Sequence, residues 1–241
     1  MMEQIILPNN NFRGLNMKTF ISFSRRGCRS YLWILAFVLA LVASGCDSQE
    51  PTTESGQKED TPVSHRITKD EAIESLTKMN ISVTTDSLSG FAGQGDLTKV
   101  KLLITAGVDV NGKDERGSNA LIEASWAGRQ DVVSYLLDNG ADVNSDSSKK
   151  FTALSAAIGR KHEAIALLLL NRGANPNVVD PAGSTPLIEA AWQGEPNLVK
   201  ALLEKGANVN FKRPDNGFSA LKAAGNKTEI VEILKSAGAT E

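Results

Sequence analysis

Four asparagines recur at a fixed interval: Asn111, Asn144, Asn177 and Asn210, each 33 residues after the last. Each closes a similar phrase: "AGVDVN" at 106–111, "NGADVN" at 139–144, "RGANPN" at 172–177 and "KGANVN" at 205–210. The same register holds elsewhere. Leu121 maps onto Leu88, Leu154 and Leu187; Leu137 maps onto Ile104, Leu170 and Leu203; Gly140 maps onto Gly107, Gly173 and Gly206. A period of this length means that one supersecondary unit is copied and stacked. Each copy leaves an apolar face that only its neighbours can cover.

The copy at 117–144 reveals the unit. Leu121 and Ala124 set one apolar stripe, on a short helix ending near Gly128. Val132, Val133, Leu136 and Leu137 set a second stripe on a second helix. Gly140 ends that helix, where the chain needs a left-handed residue and glycine has no Cβ to clash. Order is expected to begin at Thr68, because "TKDE" (68–71) has the form of a capping box, and Ala72, Ile73 and Leu76 follow on one face. Residues 69–79 are therefore read as the outer helix of an incomplete repeat, an N-terminal cap, and "NISVT" (80–84) mimics "GADVN". The last copy is irregular: Leu221 arrives one residue late, the link between its helices is short, and "KSAGATE" is small and polar. A terminal repeat needs such a wettable face. The predicted fold is an all-α solenoid of paired antiparallel helices with hairpin-like turns over residues 68–241, with copies at about 84–111, 112–144, 145–177, 178–210 and 211–241.

These residues resemble the ankyrin repeat. "STPLIEAAWQG" (184–194) is similar to the T-P-L-H-x-A-A-x-x-G signature, and "VKALLEKGANVN" (199–210) to its second helix and turn. Pro186 falls on a first helical position, where a missing N–H costs nothing. The copies "SNALIEASWAG", "FTALSAAIGRK" and "FSALKAAGNK" drift from the signature, and its histidine is missing throughout, which implies lost hydrogen bonds between turns. The resemblance covers about residues 80–241 and implies protein binding.

A different kind of segment opens the chain. "SRRGCRS" (24–30) is basic, "YLWILAFVLALVAS" (31–44) is continuously apolar, and Gly45 and Cys46 follow. This order describes a secretory signal over residues 1–45; a spanning helix needs about 20 apolar residues. An uncleaved membrane anchor is the alternative. "ASGC" (43–46) resembles the lipobox of bacterial lipoproteins, departing from it at Ala43, where leucine is usual. The resemblance implies a lipidated Cys46 at the mature N-terminus, with acyl chains contributing about 0.8 kcal/mol per buried methylene. It places the protein in a bacterial cell envelope, facing the periplasm, and Asp47 resembles an inner-membrane retention signal. Arg25-Arg26 lacks the rest of a twin-arginine motif. Met17 opens a leader of ordinary length, which leaves residues 1–16 as a candidate mis-assigned start. Residues 46–67 are polar, carry two prolines and have no apolar period, so they read as a disordered tether. Such a tether reaches roughly 25 Å on average.

Composition narrows the chemistry. A net charge of -2 gives no nucleic-acid footprint. Two cysteines, Cys28 and Cys46, make no disulfide framework, and two histidines, His65 and His162, are poor material for a metal site. No Ser-His-Asp or Cys-His set can be assembled, so no enzyme, cofactor or small-molecule substrate is expected. "GFAGQG" (90–95) follows no strand and is not a phosphate loop; it is expected to pack closely against the capping helix. His162 is expected to hydrogen-bond at the start of its helix.

The informative residues are aromatic. Trp126 and Trp192 hold one repeat position, which Gly93 and Gly159 fill in other copies. The ankyrin resemblance places that position on the exposed inner-helix surface that contacts partners. Phe151 and Phe218 follow the hairpin turns of alternate repeats, alternating with Ser118 and Ser184 in the other copies. Exposed apolar patches mark binding sites, and tryptophan is enriched in hot spots; packing between repeats is the competing expectation for these rings. The hairpin tips add Glu115, Arg116, Lys149, Lys150, Lys212 and Arg213, either simply solvated or steering a partner. The expected function is a membrane-anchored periplasmic module that binds another protein through its concave face, as a scaffold or an immunity-type partner. The alternative is a self-assembling envelope lipoprotein without a dedicated partner.

Overall fold

Thr68 closes the predicted capping box: its hydroxyl accepts from the Glu71 amide at 3.3 Å, and its own amide donates to the Glu71 carboxylate at 2.7 Å. From there a computed structural model describes residues 67–240. The predicted signal segment, Cys46, Asp47 and the tether up to residue 66 lie outside the described residues.

Helix α1 (Lys69–Lys78) follows that cap and buries Ala72 and Leu76. Asn80, at φ 55°, makes the left-handed turn after it. Five helix pairs come next: α2 (Thr85–Gln94) with α3 (Leu97–Thr105), α4 (Ala120–Trp126) with α5 (Gln130–Asp138), α6 (Ala153–Gly159) with α7 (Glu163–Asn171), α8 (Pro186–Gln193) with α9 (Pro196–Glu204), and α10 (Ala220–Ala224) with α11 (Thr228–Ser236). Every first helix of a pair starts on a side-chain cap, from Thr84, Asn119, Thr152, Thr185 or Ser219. These residues satisfy an otherwise orphaned amide, at about 1 kcal/mol each. Pro186 sits at the first position of α8, as expected.

Like helices stack on like. The first helices of successive pairs pack on one another, the second helices do the same, and α1 packs against α3. At most steps the packing between successive first helices is more extensive than that between successive second helices. Leu88, Leu121, Leu154 and Leu187 are all buried in this row, which explains their common register. The Leu137 series lies at the margin instead: Leu170 is buried, whereas Ile104, Leu137 and Leu203 are half-buried. Hairpin tips close with single bridges at Lys113–Asn119, Asp146–Thr152 and Lys212–Ser219. The last tip is one residue longer, which is why Leu221 comes late.

The asparagine period has a mechanical cause. The Asn144 side-chain amide donates to the Gly173 carbonyl at 3.2 Å, and its oxygen accepts from the Asn175 amide at 2.8 Å. Asn111 makes the equivalent pair with Gly140 and Asp142, Asn177 with Gly206 and Asn208, and Asn210 with Gly238 and Thr240. Hydrogen bonds between repeats therefore run along this ladder, so the missing signature histidine does not leave the turns unconnected.

The glycine-rich stretch corrects an expectation. Gly90 faces open space, a Cβ at Gly93 would meet Glu123, and a Cβ at Gly95 would meet the Arg129 side chain. Gly93 and Gly95 thus face the next repeat, and none of the three packs on the capping helix, because α1 stacks on α3 in the second-helix row.

Candidate partner-binding face

Trp126 ends α4 and Trp192 lies in the last turn of α8, so the repeat register puts both on the first-helix row. Neither ring is wedged between repeats. Trp126 is 43% exposed and Trp192 is 62% exposed. Each indole is approached by a cation from the following repeat. The Arg160 guanidinium carbon lies 3.9 Å from the Trp126 ring centroid, and the Lys227 ammonium lies 6.0 Å from that of Trp192. Phe218 meets Trp192 edge to face, with centroids 6.3 Å apart and planes at 63°. Phe151 and Phe218 are both half-buried, so each anchors a tip and still offers an edge.

The four rings line a continuous trough. Its first hollow, about 300 Å³, lies between Trp126 and Phe151, beside Arg116, Lys149 and Glu123. The second, about 180 Å³, shares Trp126 and Phe151, passes over Gly159 and reaches Asp180 and Glu189. The third, about 390 Å³, shares Asp180 and Glu189 and ends at Trp192, Arg213 and Phe218. Gly159 matters to this shape: it holds the tryptophan position, and nothing lies within 4 Å of where its Cβ would stand. A notch therefore separates the two indoles.

The charged tips divide. Arg116 pairs with Asp114 at 3.0 Å and Glu123 at 3.5 Å. Its bond to Asp114, with Glu123 beside it, raises the guanidinium pKa further. Arg213 pairs with Asp215 at 2.9 Å at the far end of the trough. Glu115 is not brought to the trough; its backbone amide is fastened to Asp86 at 2.8 Å. Lys149 lines the first hollow, and Lys150 is exposed at the same tip.

His162 corrects a second expectation. It occupies the N-cap of α7 but makes no side-chain cap. Its Nε2 lies 3.2 Å from the Trp126 carbonyl, across the repeat boundary. A carbonyl can only accept, so Nε2 carries the proton in this contact. Here the imidazole ties the tryptophan-bearing helix to the next repeat.

Sequence reasoning passed over Arg160, Gln193 and Glu195. Arg160 follows the glycine that replaces tryptophan in its own repeat, so periodicity could have placed it beside Trp126. Gln193 reaches back to the Ile158 carbonyl and the Glu189 carboxylate, both at 2.8 Å. Burial raises the Glu195 pKa, Glu163 adds to the rise, and Lys161 opposes it.

Among the described residues, no cluster of His, Cys, Asp and Glu could hold a metal ion, and no helix is long and apolar enough to cross a membrane. A family model described as "Ankyrin repeats (3 copies)" matches residues 67–147, 88–180 and 154–240. No curated protein matches the chain.

Proposed function

The chain belongs to the ankyrin-repeat family, and from that premise we propose that it is a membrane-anchored periplasmic module that grips another protein along the trough from Trp126 to Trp192. Ankyrin repeats mediate protein–protein interaction and are typically non-catalytic. The observation that carries the reading is the pair of exposed indoles on one row, separated by the open notch at Gly159. Large rings left in water are unusual in a chain with 5% aromatic residues, and rigid aromatic anchors dominate binding energy at interfaces. The hollows are shallow, shared between repeats and in line, which suits a partner that lies across several repeats better than one enclosed small molecule. Support for the anchor comes from the basic and apolar leader ending at Cys46, and from the polar segment after it.

A photo-crosslinking residue at Ala182, an exposed position of the third hollow, tests the reading in whole cells. A discrete adduct to a second protein in the envelope fraction is expected, and the Trp126→Ala/Trp192→Ala double variant should lose it. An adduct at twice the mass of the chain alone would favour self-assembly; an adduct indifferent to the double variant would remove the trough from the interface. Palmitate labelling that persists in Cys46→Ser would remove the anchor.

A further inference from the structure

The third repeat departs from its neighbours at two backbone positions. Where the second and fourth repeats have Gly117 and Gly183, it has Lys150; where they have Gly128 and Gly194, it has Lys161. All six residues are left-handed: φ is 74° and 76° at the first pair of glycines and 58° at Lys150, then 75° and 86° at the second pair and 61° at Lys161. A side chain strains the backbone there, and glycine would relieve it. Among the described residues the one other non-glycine at positive φ is Asn80, a residue type that tolerates the region. Strain retained twice within one repeat points to a task for the side chains themselves.

Those side chains belong to two basic doublets, Lys149-Lys150 and Arg160-Lys161, whose other members, Lys149 and Arg160, line the first hollow and stack on Trp126. Lys161 lies near enough to Glu195 to lower its pKa, and Arg160 lies on the Trp126 ring. The Lys149 and Lys150 side chains are exposed and make no ion pair among the described residues. Of the acids along the trough, Glu123 is paired with Arg116, whereas Glu189 and Asp180 accept from neutral donors, Gln193 and the Ser184 amide, and keep their charge. The uncompensated charge beside the first hollow is therefore positive. Farther along, Asp180 and Glu189 line the second and third hollows, which disfavours a uniform polyanion such as nucleic acid.

We infer that the trough over the second to fourth repeats takes an extended peptide segment that is acidic where it crosses the first hollow, its carboxylates meeting Lys149, Lys150 and the outer edge of Arg160 while an apolar side chain rests between Trp126 and Phe151. This rests on the inner-face reading above and adds the chemistry of the partner. It also explains the retained strain, because glycine at position 150 would relax the backbone and remove a recognition charge.

The test is selection of a random dodecapeptide phage library on the full-length protein in detergent. Selected peptides are expected to be enriched in Asp and Glu over the unselected library. A synthetic representative should weaken about ten-fold when its carboxylates become amides, and likewise on Lys149→Glu/Lys150→Glu. Lys150→Gly supplies the second readout: it should melt higher than the native chain yet bind about three-fold more weakly, a combination that a structural role for the lysine does not produce. Selected peptides without acidic enrichment, yet weakened by Trp126→Ala/Trp192→Ala, would overturn the acidic chemistry and leave the binding face standing. Selection indifferent to the tryptophans, or no selection at all, would overturn both. Single-stranded DNA competing as well as the peptide at equal charge would overturn the peptide assignment.

Discussion

Arg160 stacks on Trp126 from the neighbouring repeat, its guanidinium carbon 3.9 Å from the ring centroid. The contact covers one face of an indole that is otherwise 43% exposed, and it orients the ring along the trough. An exposed cation–π contact is worth about 0.5–1 kcal/mol. The pairing joins two elements that the partner would have to meet together, so the ring is held in place before anything binds.

Removing the cation should free the ring without unfolding the stack. Arg160→Ala is expected to lower stability by less than about 1 kcal/mol. Acrylamide should then quench Trp126 emission more strongly, read in a Trp33→Phe/Trp192→Phe background. Unchanged quenching would mean that the stacking does not persist in solution.

The asparagine ladder predicts a graded response. Asn144→Ala removes both its bonds to the next repeat, and because the site is exposed water replaces part of each. A loss of about 1–2 kcal/mol is expected, with Asn144→Asp losing less because it keeps the acceptor for the Asn175 amide. Stability in a solenoid is a sum over neighbouring interfaces, so the denaturant transition should also broaden. Equal losses for the two variants would refute the two-bond account.

Glu195 predicts a pH dependence of definite sign. Burial, reinforced by Glu163, raises its pKa in the folded chain, and its Oε2 is buried without a partner. The folded state thus holds the proton more tightly than the unfolded state does. The favourable contribution is complete below the unfolded value of about 4.3 and is lost as pH rises through the higher folded value. Glu195→Gln, which cannot ionise, should therefore be more stable than the native chain at pH 7. The difference should vanish as the solution is acidified toward pH 4. A variant less stable than native at pH 7 would show that the ionised form is the one the fold prefers.

Much of this architecture could be read before any coordinates. The capping box at Thr68, the helix stop at Gly140 and the common position of Trp126 and Trp192 follow from local rules and a fixed interval. The misreadings share one character. His162 was assigned to its own helix, and the glycines at 90–95 to the capping helix, because sequence reasoning favours near neighbours. In the folded chain the His162 ring reaches Trp126 and Gly93 faces Glu123, each across a repeat boundary. The Glu115 backbone amide likewise reaches across a boundary, to Asp86 of the preceding repeat.

Spacing by itself determined that this chain is a stack of two-helix modules, since an apolar stripe repeated every 33 residues can be buried only by copies of itself. It also determined which side chains share a row. Whether those side chains stand in water, lie against a neighbour or pair across a boundary was decided only in three dimensions. Each such outcome depends on several groups competing for one volume: Arg160 over the Trp126 ring, His162 beneath its carbonyl, and two lysines held in a backbone region that favours glycine.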